Sequence, residues 1–108
     1  MRTHPIFWDD GSIRSFEISS GFFWSLGYMR RVLESVDGVS EFRRNWFNDD
    51  RYSFTFRGVR CVVHEPYGDN SYYWIKPVED DDKLDLGPIN EAFRGFRLTL
   101  TFDREFRE

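Results

Sequence analysis

Apolar and polar positions alternate with a period of two along most of this chain, and in two places the spacing changes to that of a helix. Side chains on a strand point to opposite faces in turn, so a period of two marks a half-buried strand. Ile6-Phe7-Trp8, the turn cluster Asp9-Asp10-Gly11, and Ser12 to Ile18 with Phe16 and Ile18 on one face read as strand, turn and strand. Phe22, Leu26, Met29, Leu33 and Val36 then recur at spacings of 4, 3, 4 and 3, which predicts a helix over 20–36. Ser19 or Ser20 can cap its first turn. Asp37-Gly38 stops it, with Gly38 free to take positive φ.

The period of two returns for four strands. Val39 to Phe47 is the first, followed by a turn at Asn48-Asp49-Asp50. Arg51 to Arg57 places Tyr52, Phe54 and Phe56 on one face, and Gly58 turns the chain into Val59 to His64. Pro66 to Asn70 is a loop, and Ser71 to Lys76 is a strand ended by Pro77. Residues 79–85 form an acidic loop. Pro88 opens a short helix with Ile89, Ala92 and Phe93 turned inward and Gly95 at its end. Phe96 to Phe102 alternates once more, and 103–108 is a charged tail. The expected fold is one α+β domain over 1–108, in the order ββαββββαβ. Five to seven largely antiparallel strands pack on one long and one short helix.

Composition sharpens this picture. The chain has 108 residues, too few for two separate cores. Its 4 Trp, 5 Tyr and 12 Phe supply more ring surface than so small a domain hides easily. Burying a few such rings supports a core without a disulfide, and the single Cys excludes an intrachain one. One thiol, no apolar leader and no apolar stretch long enough for a bilayer together predict a cytoplasmic protein outside the membrane.

Charge is uneven. Residues 1–78 carry ten acids and ten bases, whereas 79–108 carry nine acids and five bases, which accounts for the formal charge of −4. Nucleic-acid binding rests on Lys and Arg contacts to phosphate, so this balance argues against it. It suits a basic protein partner.

No short motif of catalysis or metal binding is present. Two His and one Cys cannot build a four-ligand zinc site without carboxylates. The Asp-rich loop lacks the Gly and terminal Glu of an EF-hand. Cys61, flanked by Val, reads as a small buried hydrophobe. Neither a metal nor a cofactor is expected.

The leading functional reading is a non-enzymatic, protein-binding domain. It would neutralise a basic partner, in the manner of a small acidic immunity protein or inhibitor. The likeness is one of size and acidity, and no motif carries it. The expected contact residues are Asp80, Asp81, Asp82 and Asp85 with the aromatic residues Trp46, Tyr67, Tyr72 and Trp74. Tyr and Trp favour interface centres because they bury area at low entropic cost. A small-ligand domain using the aromatic sheet face is the first alternative. An enzyme using His64 with Glu65 or Asp69 is the second, although neighbours on a strand face opposite ways. An exposed sheet edge could also pair two copies into a homodimer.

Overall fold

Ile13, Phe16 and Ile18 share one face of a strand, and that face organises the protein. The computed structural model describes residues 2–19, 27–45, 50–65, 72–79 and 83–96. The strands are β1 (Arg2–Phe7), β2 (Ile13–Ser19), β3 (Val39–Arg44), β4 (Asp50–Phe56), β5 (Val59–His64) and β6 (Tyr72–Pro77). The helices are α1 (Gly27–Glu34) and α2 (Gly87–Gly95). The six strands form one sheet in the order β1-β2-β6-β5-β4-β3, and every neighbouring pair is antiparallel.

Both helices lie on the face that carries Phe16, Ile18, Phe54, Phe56, Val63, Tyr73 and Ile75, all buried. Helix α1 packs against β3 and α2, and α2 packs against β1 and β2. Met29, Val32 and Leu33 supply the buried stripe of α1. Ile89 and Phe93 do the same for α2, with the Phe93 ring centroid 5.9 Å from that of Phe16. Cys61 is fully buried in this core. Glu65 is buried as well, and its Oε1 accepts a hydrogen bond from Arg51 Nε at 2.5 Å.

Two turns use positive φ. Gly38 follows α1 at φ 94°, as its place after Asp37 predicts. The β4–β5 hairpin turns on Arg57 (φ 51°) and Gly58 (φ 83°), the pair of left-handed residues that a type I′ turn requires.

The structure extends and trims several expectations. Strand β1 begins at Arg2 and leaves Trp8 outside. It contains Pro5, which is tolerated because β1 is an edge strand. Pro77 is the last residue of β6, paired with Cys61, and the chain leaves the sheet one residue later. The described part of the first helix is 27–34. The predicted segments 20–26, Trp46-Phe47, 66–70, 80–82 and 97–108 lie outside the described residues.

Candidate functional site

The face of the sheet away from the helices is read from the register. His4 pairs with Glu17, Glu17 with Trp74, Trp74 with His64, and His64 with Asp50, giving one row across five strands. Lys76, Val62, Ser53 and Arg43 form a second row. Tyr72 and Trp74 thus share this face, while Tyr73 and Ile75 point into the core.

His64 Nδ1 lies 2.8 Å from Asp50 Oδ1, and its ring meets the Trp74 ring edge-on with centroids 6.5 Å apart. The neighbouring carboxylate in sequence, Glu65, turns to the opposite face and binds Arg51. His64 is therefore joined to Asp50 across a strand pair, and Asp69 lies outside the described residues. Among the described residues no three His, Cys, Asp or Glu side chains converge as metal ligands. Toward β3, Arg60 donates to Thr55 Oγ1 at 2.7 Å and to Ser53 Oγ at 3.0 Å, and Thr55 Oγ1 donates to Glu41 Oε1 at 2.7 Å. Glu41, largely exposed, sits in a bulge of β3, where it takes φ 54°.

One corner gathers acids and apolar groups. Two segments more than seventy residues apart are joined there by four hydrogen bonds. Trp8 Nε1 donates to the Leu84 carbonyl at 3.0 Å, and Ile13 N donates to Asp85 Oδ1 at 3.0 Å. Leu86 N donates to the Ile13 carbonyl at 2.8 Å, and Lys83 Nζ donates to Asp10 Oδ2 at 2.6 Å. Asp10 Oδ1 also accepts from Ser12 N and Ser12 Oγ, at 3.0 and 2.6 Å. Lys83, helped by these two Ser12 donors, holds the Asp10 carboxyl well below the usual carboxylate range. Asp85 Oδ1 takes a second bond from Gly87 N at 2.8 Å, at the free N–H groups that open α2.

The β2–β6 register runs from Ser19↔Tyr72 to Phe16↔Ile75, so the end of β6 adjoins the start of β2. Phe7 pairs with Ile13 on the other side. Phe7 and Ile6, at the end of β1, are 57% and 45% exposed, and Val78, just past β6 and hydrogen-bonded through its N to the Arg60 carbonyl, is 50% exposed. The acids Asp9, Asp10, Glu79 and Asp85 are exposed, and the hydrogen bonds above bring Asp10 and Asp85 together at the junction of the two segments. Asp9 and Glu79 make no side-chain hydrogen bond among the described residues.

Of the expected contact residues, Tyr72 and Trp74 are on the open face and Asp85 is at the acidic corner. Tyr72 starts β6 and Asp85 lies beyond its end, so a six-residue strand of roughly 17–20 Å separates them. Asp80, Asp81, Asp82, Tyr67 and Trp46 are outside the described residues. The sequence reading passed over Asp9, Asp10, Ile6, Phe7 and Val78 as site residues. Asp9-Asp10-Gly11 signalled a turn, and nothing local tied that turn to the second acidic segment.

Among the described strands, β1 lies at one edge of the sheet and β3 at the other. No helix among the described residues is long and apolar enough to cross a membrane. No known protein family matches the chain, and neither curated proteins nor solved structures contain a match to it.

Proposed function

We propose that this chain is a non-enzymatic protein-binding domain that docks on a basic surface of a partner protein through the acidic corner. The observation that supports this reading is the junction of the β1–β2 turn with residues 83–86, which sets the exposed acids Asp9, Asp10 and Asp85 near the exposed apolar residues Ile6 and Phe7 at the end of β1. Exposed apolar residues beside charged ones are the usual ingredients of a specific interface. The acids speed encounter with a positive surface and reject acidic competitors, while the apolar groups hold the complex once formed. Asp80, Asp81 and Asp82 follow Glu79 directly in sequence and add to the same field. A small domain that covers a basic functional surface acts as an inhibitor or immunity-type protein. The single thiol of Cys61, buried and unbridged, fits a cytoplasmic location.

The rim acids divide into two groups. Asp10 and Asp85 hold the corner together, whereas Asp9 and Glu79 are free of side-chain hydrogen bonds among the described residues. The test is affinity capture from a native lysate with the wild-type chain, the D9K/E79K variant and the F7S variant. A basic protein retained in stoichiometric amount by wild type should be lost by D9K/E79K with folding unchanged, and weakened by F7S. Equal retention by all three would refute the assignment of this corner.

A further inference from the structure

Where β1, β2 and β6 meet, the open face of the sheet contains a cavity of about 230 Å³ lined by Ile6, Arg14, Ser15, Trp74, Lys76 and Pro77. It exists because the β1–β2 register slips between Ile6 and Phe7, which pair with Ser15 and Ile13 and leave Arg14 unopposed. A bulge of this kind bends the strand and redirects a side chain. Here the guanidinium of Arg14 comes to lie 5.2 Å over the Trp8 ring, at the mouth of the cavity.

Three polar side chains around the cavity are hydrogen-bond donors with no acceptor among the described residues. Ser15 is 4% exposed, and its side chain makes no hydrogen bond among the described residues. Trp74 Nε1 is buried and also has no acceptor. Lys76 Nζ sits 4.5 Å above the centroid of the Trp74 ring, with no carboxylate in ion-pairing range among the described residues. Buried polar groups are nearly always paired, and unpaired ones call for an explanation. Glu17, opposite Trp74 on this face, does not line the cavity. Two cations, a hydroxyl and an indole N–H thus surround a space whose remaining walls are Ile6 and Pro77.

We propose that this cavity binds a small organic carboxylate. Lys76 and Ser15 take the carboxylate, with Arg14 adding charge at the mouth, and the apolar body lies against Ile6, Pro77 and the Trp74 ring. The apolar walls disfavour a bare inorganic anion, and the absence of a lining acid disfavours an amine. An engineered cavity of about 150 Å³ holds benzene, so the volume here suits one ring with its carboxylate. The site is distinct in chemistry from the acidic corner, and its occupant needs no protein partner.

The test is titration of the full chain with benzoate, followed by proton–nitrogen correlation spectra and calorimetry. Benzyl alcohol and benzylamine serve as neutral and cationic controls of the same shape. Benzoate should saturate one site with a Kd of about 1 mM or tighter and shift the Trp74 indole N–H, while both controls bind at least ~10-fold more weakly. Lys76→Met keeps the stem and removes the charge, and it should lower benzoate affinity by about 10-fold with an unchanged spectrum elsewhere. Equal responses to benzoate and benzyl alcohol would overturn the proposal. So would saturation at residues away from Trp74, or no response up to about 20 mM. The wild-type comparison alone decides the matter should Lys76→Met fail to fold.

Discussion

Replacing Asp85 by Ala separates the acids that build the corner from those that are free to bind. Asp85 Oδ1 accepts from Ile13 N at 3.0 Å and from Gly87 N at 2.8 Å, so one oxygen ties β2 to the start of α2. A hydrogen bond to a charged group contributes about 1.5–3 kcal/mol when shielded from water. Asp85 is exposed, and solvent screening reduces each bond well below that range. A net contribution of about 0.5–1 kcal/mol then remains for each of the two bonds. The expected loss for Asp85→Ala is therefore about 1–2 kcal/mol. Asp85→Asn should lose about half as much, since its amide oxygen still accepts both bonds without the charge. In a domain of this size the Ala variant should melt about 4–12 °C lower. Gly87 offers an independent check, because an added Cβ would sit 3.0 Å from Asp85 Oδ1 and push the carboxylate off its donors. Gly87→Ala should destabilise by the same route, and the double variant should lose less than the sum of the two. Urea unfolding followed by circular dichroism measures all four proteins. Asp9→Ala, which removes no side-chain hydrogen bond among the described residues, should stay within about 0.5 kcal/mol of wild type. Asp85→Ala losing no more than Asp9→Ala would refute this account of the corner.

Phe16→Ala removes a fully buried ring that packs on Phe93, and urea unfolding should show a loss of about 3–5 kcal/mol. Asp10 has a folded-state pKa lowered chiefly by Lys83. Its stabilising effect is therefore complete above the ordinary carboxylate range near pH 4 and is lost as pH falls further. Asp10→Asn should flatten that part of an acid-unfolding profile, and an unchanged profile would contradict the pairing with Lys83. Burial raises the pKa of the Tyr52 phenol, against the opposing charges of Arg44, Arg30 and Arg51. The folded state thus keeps this proton longer than the unfolded chain, and stability falls as pH rises above about 10. Ultraviolet titration should show a late-ionising Tyr that is lost in Tyr52→Phe.

Local rules made several elements legible before any coordinates. Tyr52, Phe54 and Phe56 alternate cleanly, and they line the buried face of β4. Gly38 after Asp37 takes the positive φ that a chain reversal after a helix requires. Tyr73 and Ile75 separate from Tyr72 and Trp74 as strand alternation demands. The placement of β6 between β2 and β5 was not legible, because short connections reveal which strands follow one another and not which edge receives a strand from afar. That pairing is what brings residues 8–13 against 83–86. Ile6 and Phe7, apolar in the sequence, stay exposed on β1, which ends the sheet among the described strands. Bulges hid the rest. The slip between Asp50 and Tyr52 sets Asp50 opposite His64, and the slip beside Arg14 opens the cavity by Trp74. Asp85 in a charged run resembles any solvated acid, and only the tertiary fold reveals the two backbone donors that it satisfies.

The measurement that bears most directly on the docking role is the association rate constant between the chain and its captured partner as a function of salt. Exposed charges act over a Debye length of about 10 Å at 0.1 M salt and about 3 Å at 1 M. Docking through the acidic corner predicts a rate constant that falls by at least ~10-fold between these salt concentrations. It also predicts that D9K/E79K slows association far more than it speeds dissociation. A rate constant that is independent of salt and equal for wild type and D9K/E79K would contradict the assignment of the acidic corner as the docking surface.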